Sequence, residues 1–149
     1  MKAYIAAPLF CQGEKDFNLR VEAVVRSVGL ETFLPQRDGG EAARLIRQGM
    51  DEHTVCQRLF DLDCAAIADC AVFVFVLDGR VPDEGACVEL GMAFARGTPC
   101  FGLQTDSRRF GGTEANNLMI DYALTGGIAA SLEELADTLR THVGQLTAG

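Results

Sequence analysis

The stretch "AVFVFVLDGRVPDEGACVELGMAFARG" (Ala71–Gly97) decides how the chain reads. It opens as a β-branched and aromatic run closed by Asp78-Gly79, the pattern of a strand buried on both faces. A loop and then a helix follow. Asp83, Glu84 and Glu89 all fall in this second part, and Glu89 is the only charge between Ala86 and Ala95. A buried strand feeding a helix is half of a parallel crossover unit. A lone carboxylate in an apolar helix calls for a reason, because burying an unpaired charge is expensive.

Outward from that unit the same alternation recurs. "AYIAAPLF" is a short apolar run stopped by Pro8 and predicts a first strand. "EKDFNLRVEAVVRSVG" places Phe17, Val21, Val24, Val25 and Val28 on one helical face, with Gly29 as terminator. "LETFLP" predicts a second strand, and "QRDGG" a loop whose paired glycines permit positive φ. Residues 41–69 are helical in pattern and divide near Gly49. "TPCFGLQTD" predicts a fourth strand, and 107–127 a polar loop holding a short helical or strand piece. "SLEELADTLRTHVGQL" opens on a capping box, Ser131 to Glu134, with Leu132, Leu135, Leu139 and Val143 as its apolar stripe. Strands alternating with helices predict an α/β fold with a parallel sheet covered on both faces. In such a sheet a ligand sits beyond the carboxyl ends of the strands, where strand order reverses. The segments expected there are Pro8–Gly13, 35–40 and Asp78–Gly85.

Bulk properties narrow the function class. At 149 residues and 48% hydrophobic, the chain suits one domain, 1–149. A net charge of −8 argues against nucleic acid as partner, since phosphate-backbone binding needs clustered Lys and Arg. No run reaches the ~18 apolar residues of a membrane span, and the start is too polar after Pro8 for a signal peptide. The six cysteines form no C-x-x-C pair, so reduced thiols in a cytoplasmic protein are expected. His53 and His142 lack partner ligands at useful spacing, so no metal is expected. There is no G-x-G-x-x-G or P-loop pattern.

Each candidate residue has a bland alternative. Glu89 reads as a reactive carboxylate near a helix N-terminus, or as a rim residue paired with a surface cation. Asp83 and Glu84 open the helix, where acids serve as caps. Asp61 and Asp63 lie toward a helix C-terminus, which disfavours acids, although a solvated face also accommodates them. Tyr4 sits in a buried strand and needs a partner for its hydroxyl. Asn116-Asn117 reads as a turn pair. Acids around a neutral cleft suit glycosyl chemistry, one attacking the anomeric carbon while another protonates the leaving group.

Taken together, "YIAAPLF", "LPQRDGG", "FDLDCAAIADCAVFVFVLDG", "PDEGACVELGMAFARG" and "NNLM" resemble, in order and spacing, the nucleoside 2-deoxyribosyltransferase family over roughly Lys2–Tyr122. The resemblance implies a flavodoxin-like three-layer sandwich with about five parallel strands. It implies a glycosyltransferase needing no cofactor, which moves 2-deoxyribose between nucleobases through a covalent deoxyribosyl-Glu89 intermediate with net retention. Carried over by position, Glu89 would be the nucleophile and Tyr4 would hold it. Asp83 would bind the sugar hydroxyl and assist protonation, and Asp61 would be the second acid near the base. Pro8, Phe10, Arg37, Asp38, Gly85, Asn117 and Met119 would contact substrate, Asn117 and Met119 in a neighbouring subunit's site. The implied partners are 2′-deoxynucleosides, nucleobases and further copies of the chain, in a dimer-based tetramer or hexamer. Two acids in "PDEGAC" would repel a phosphate dianion, which favours free nucleosides. The alternatives are an N-glycosidase acting on deoxynucleosides or their monophosphates, and a nucleotide-sensing module of the same fold without turnover.

Overall fold

The computed structural model describes residues 1–39, 42–106 and 116–147. Its elements run β1 (Lys2–Ala6), α1 (Gln12–Ser27), β2 (Glu31–Phe33), α2 (Pro35–Asp38), α3 (Ala42–Arg47), α4 (Glu52–Asp69), β3 (Val72–Val76), α5 (Glu84–Ala95), β4 (Cys100–Leu103), α6 (Leu118–Ala123), β5 (Ile128–Ala129) and α7 (Leu132–Thr147). The sheet has the order β2-β1-β3-β4-β5, and every pairing is parallel. Helices cover both faces, so the predicted flavodoxin-like sandwich is the observed one. The order reverses between β1 and β3, which fixes the crevice where a ligand is expected.

The two-residue period of the strands divides the core. In β3, Val72, Val74 and Val76 join Ala3 and Ile5 of β1 and pack against Val21, Val25, Leu135 and Leu139 of α1 and α7. Phe73 and Phe75 point the other way, with Tyr4 and Ala6, toward Ala66 and Ile67 of α4 and Leu90 and Ala93 of α5. The expected apolar stripes of α1 and α7 are therefore the inner faces of those helices. Gly29 and Gly49 adopt φ of 88° and 90°, the left-handed geometry that ends a helix at each predicted break. At α7, Ser131 Oγ accepts the Glu134 N–H (3.2 Å), while Glu134 accepts the Ala130 N–H (2.8 Å).

Two local readings change, both within residues 36–39. Gln36–Asp38, expected as loop, form the helical turn α2, because Pro35 presets its first φ and Asp38 caps it by accepting the Leu34 N–H (2.9 Å). Gly39 has a φ of −70°, so the positive φ expected of the glycine pair is not used there; Gly40 lies outside the described residues. The 107–127 segment contains α6, and its remainder, 107–115, lies outside the described residues. The fifth strand, β5, is two residues long and has no periodicity to detect. Among the described residues no helix is long and apolar enough to cross a membrane.

One charged network ties α1, β2 and α2 together. Glu22, 7% exposed, accepts from Thr32 Oγ1 (2.6 Å), Arg26 Nε (3.0 Å) and Arg37 Nη1. Arg37 also donates to Asp38 (Nε to Oδ1, 2.7 Å) and to the Thr32 carbonyl (2.9 Å). Removing the buried acceptor leaves a hydroxyl and a guanidinium competing for water at a partly closed site. Glu22→Ala is expected to cost about 2 kcal/mol in urea denaturation, with the m-value unchanged.

Candidate active site

Glu89 sits on the second turn of α5, whose N-terminus opens at the switch crevice. Asp83 is the N-cap and accepts the Ala86 N–H (2.8 Å). Ala86, Leu90 and Ala93 bury the inner stripe of the helix against the sheet. That grip turns Glu89 inward to β1, where Tyr4 Oη donates to Glu89 Oε1 at 2.7 Å. Tyr4 is fully buried. Its hydroxyl thus finds its partner in the one carboxylate of the apolar run Ala86–Ala95, and the two anomalies of the sequence account for each other.

The surroundings set the protonation of the pair. Burial pushes the Glu89 carboxyl up to about 7 from an ordinary 4.5; the Tyr4 hydrogen bond works against this, while the charges of Asp63 and Asp83 add to it. Tyr4 is driven above its ordinary range by burial first, then by the Glu89 charge, so it remains a donor. Burial also raises Asp63, whose Oδ1 is buried without a hydrogen-bond partner among the described residues.

Asp63, and not Asp61, is the α4 acid whose charge reaches Glu89. Asp61 is exposed and accepts from Gln57 of its own helix (2.9 Å). Helical phase explains the difference. Asp63 shares a face with the buried Ala66, Ile67 and Cys70, at spacings of three, four and seven, whereas Asp61 falls off that stripe. That phase was available in the sequence as the signal for Asp63.

The remaining predicted residues divide. Pro8 lines a cavity of about 210 Å3 with Asn18, Val76, Asp78 and Gly79 at the crevice. Phe10 is 76% exposed. Gly85 follows the cap, and a Cβ there would stand 3.2 Å from Asp83 Oδ1. Arg37 and Asp38, expected to contact substrate, are bound to each other, and Arg37 also to Glu22. Asn117 caps α6, its Oδ1 accepting the Met119 N–H (2.9 Å). Met119 is 72% exposed and borders an apolar groove with Cys87, Phe94, Leu118 and Tyr122. Helix α5 is less enclosed than its composition suggests: Val88 and Phe94 are exposed on its outer side.

A carboxyl raised by burial weakens the fold as it ionises. The unfolded chain loses this proton near 4.5 and the folded chain near 7, so stability falls as pH rises between the two and the full cost is present above 7. Glu89→Gln keeps an acceptor for Tyr4 and removes the charge. It is expected to be more stable than the parent by on the order of 3 kcal/mol at pH 8, with the difference closing toward pH 4.5. Thermal melts across that range measure it.

The chain matches the family model described as nucleoside 2-deoxyribosyltransferase over residues 3–138. No curated protein matches. Among solved structures, a conserved protein from Enterococcus faecalis V583 superposes with a TM-score of 0.76 at 22% identity, covering 95% of this chain and 98% of that one. The 2-deoxyribosyltransferase of Bacillus psychrosaccharolyticus gives 0.74 at 22% identity, with 92% and 91% covered. A CMP N-glycosidase from Clostridium botulinum gives 0.57 at 19% identity, with 93% and 98% covered. At these identities the superpositions speak for the fold, and the family match over nearly the whole chain carries the assignment: the protein belongs to the nucleoside 2-deoxyribosyltransferase family.

Proposed function

We propose that the chain, acting as one catalytic domain, exchanges the nucleobase of 2′-deoxynucleosides by double displacement at Glu89. The observation that carries this reading is the Glu89 carboxylate held in an apolar setting by a buried donor, Tyr4, with Asp83 and Asp63 beside it. Glu89 attacks C1′ as the C1′–N bond breaks, and the departing base takes a proton from a neighbouring acid. An incoming base nitrogen then attacks C1′ from the opposite face, the ester bond to Glu89 breaks, and the proton on that nitrogen returns to the acid. Two inversions give net retention. Asp63 suits the acid better than Asp61, because it faces Glu89 from a half-buried position that raises its affinity for a proton, while Asp61 lies in solvent. Asp83 has one oxygen engaged at the helix cap and its carboxylate at the crevice, where it suits the sugar hydroxyl. No step calls for a metal or organic cofactor.

The reading extends to assembly and location. The apolar face formed by Val88, Phe94, Leu118, Met119 and Tyr122 suits a second copy of the chain. It adjoins Asn117, the residue expected to reach a neighbour's site. Cytoplasmic residence accords with six unpaired cysteines.

The test is chromatography of the protein incubated with 2′-deoxyinosine and adenine. Deoxyadenosine is expected from the parent and none from Glu89→Ala. Free deoxyribose in place of deoxyadenosine would mark a hydrolase. Asp63→Asn is expected to slow exchange by about a hundredfold, while Asp61→Asn stays close to the parent. Sedimentation is expected to report an oligomer, and Tyr122→Glu to shift it toward monomer with loss of exchange. A fully active monomer would remove the proposed shared site.

A further inference from the structure

The ring of Tyr4 is not held by generic core packing. It lies between two other rings, each on a neighbouring strand and in direct register with it. Tyr4 pairs with Phe33 of β2 on one side and with Phe73 of β3 on the other. The Tyr4–Phe33 centroids are 5.3 Å apart with planes 13° from parallel, and the Tyr4–Phe73 centroids are 5.6 Å apart with planes 4° from parallel. Three stacked rings therefore run across β2, β1 and β3 on the face that carries α4 and α5. We propose that Phe33 is a positioning residue for the reaction: with Phe73 it clamps the Tyr4 ring from both sides, so that the Tyr4 hydroxyl stays on Glu89.

The argument is geometric. The Tyr4 hydroxyl lies at the far end of the ring, so a small swing about χ1 becomes a large displacement of the oxygen. Motion within the ring plane is opposed by the strand beneath. Motion out of the plane is opposed only by what lies against the two ring faces, and those are Phe33 and Phe73. Offset parallel rings at this separation are mutually attractive, and directly opposed residues on adjacent strands are the closest side-chain neighbours a sheet provides. Among the described residues, the bond they protect is the only hydrogen bond to the Glu89 side chain. It is also the one influence that lowers the affinity of Glu89 for its proton. Phe73 is fully buried at the centre of the sheet, so replacing it would disturb the core as a whole. Phe33 is half-buried on the edge strand and packs at the margin of that core, which makes it the accessible half of the clamp.

The catalytic meaning of the clamp rests on the reading of Glu89 as nucleophile; its physical existence does not. The experiment separates the two. The Glu89 carboxyl is titrated by carbon-13 NMR, assigned through Glu89→Gln, in the parent chain, Phe33→Leu, Phe33→Tyr, Tyr4→Phe and the Phe33→Leu/Tyr4→Phe double variant. Leucine keeps the site apolar but has no flat face, so the hydrogen bond loosens while burial is retained. The Glu89 midpoint is expected to rise by about 0.5–1 pH unit in Phe33→Leu, and to stay at the parent value in Phe33→Tyr, which keeps the ring. In the Tyr4→Phe background the second substitution is expected to move nothing further, because the bond it acts through is already gone. In turnover, Phe33→Leu should lower kcat about tenfold with KM within about twofold of the parent. An unchanged or lowered midpoint in folded Phe33→Leu, or a shift that persists in full without the Tyr4 hydroxyl, would overturn the clamp. If Phe33→Leu fails to fold, Phe33→Met carries the same comparison. A chain that shows the titration pattern but no base exchange would retain the clamp and sink the transferase reading instead.

Discussion

The hydrogen bond from Tyr4 to Glu89 is the interaction on which the site depends, and much of the fold is arranged around it. A carboxylate inside an apolar layer is stable only where a donor meets it and the surrounding structure prevents its escape to water. The donor comes from β1, a central strand flanked by β2 and β3. The acceptor comes from α5, whose inner stripe of Ala86, Leu90 and Ala93 locks its rotation against the sheet. Either element displaced by one residue would put the wrong side chain there. In the strand, a shift of one would present Ala3 or Ile5 to α1 and α7's opposite layer; in the helix, it would rotate Glu89 by about 100° away from Tyr4. The pairing thus ties strand register to helix phase.

This constraint also explains what was legible in the sequence. Long periodic elements were readable because burial repeats along them: the valines of α1, the leucines of α7 and the unbroken apolar run of β3. Glu89 stood out because it was the only charge in its run. Its partner was harder to see. From its own residues Tyr4 read as a buried hydroxyl in need of an acceptor, and only the family resemblance paired it with Glu89, 85 residues away. Short elements gave no signal, since a four-residue helix and a two-residue strand contain no full period. The bonds that Arg37 and Asp38 make were out of reach for a related reason. Their positions at the strand end suggest ligand contact, and the pairing of Arg37 with Glu22, on a helix earlier in the chain, left no local mark.

The acids of α4 illustrate the difference between motif position and helical phase. Asp61 and Asp63 stand two apart in "FDLDC", so their side chains point in directions roughly 200° apart around the helix. Only one can share the stripe of Ala66, Ile67 and Cys70, and that one is Asp63. A resemblance counted along the chain cannot by itself choose between neighbouring acids. Burial periodicity can, because it refers each residue to the same inner face.

The choice of Asp63 bears on how the two buried acids divide their work. Both are raised by burial, and the Asp63 charge raises Glu89 further. A hydrogen bond received in the charged form favours that form. Tyr4 donates to Glu89, whereas Asp63 Oδ1 has no partner among the described residues. The bond therefore supports the anionic form of Glu89, which a nucleophile facing C1′ needs, against the burial that opposes it. Two carboxyls of the same kind acquire different surroundings because one phenolic hydroxyl, anchored in a β-strand, points at one of them.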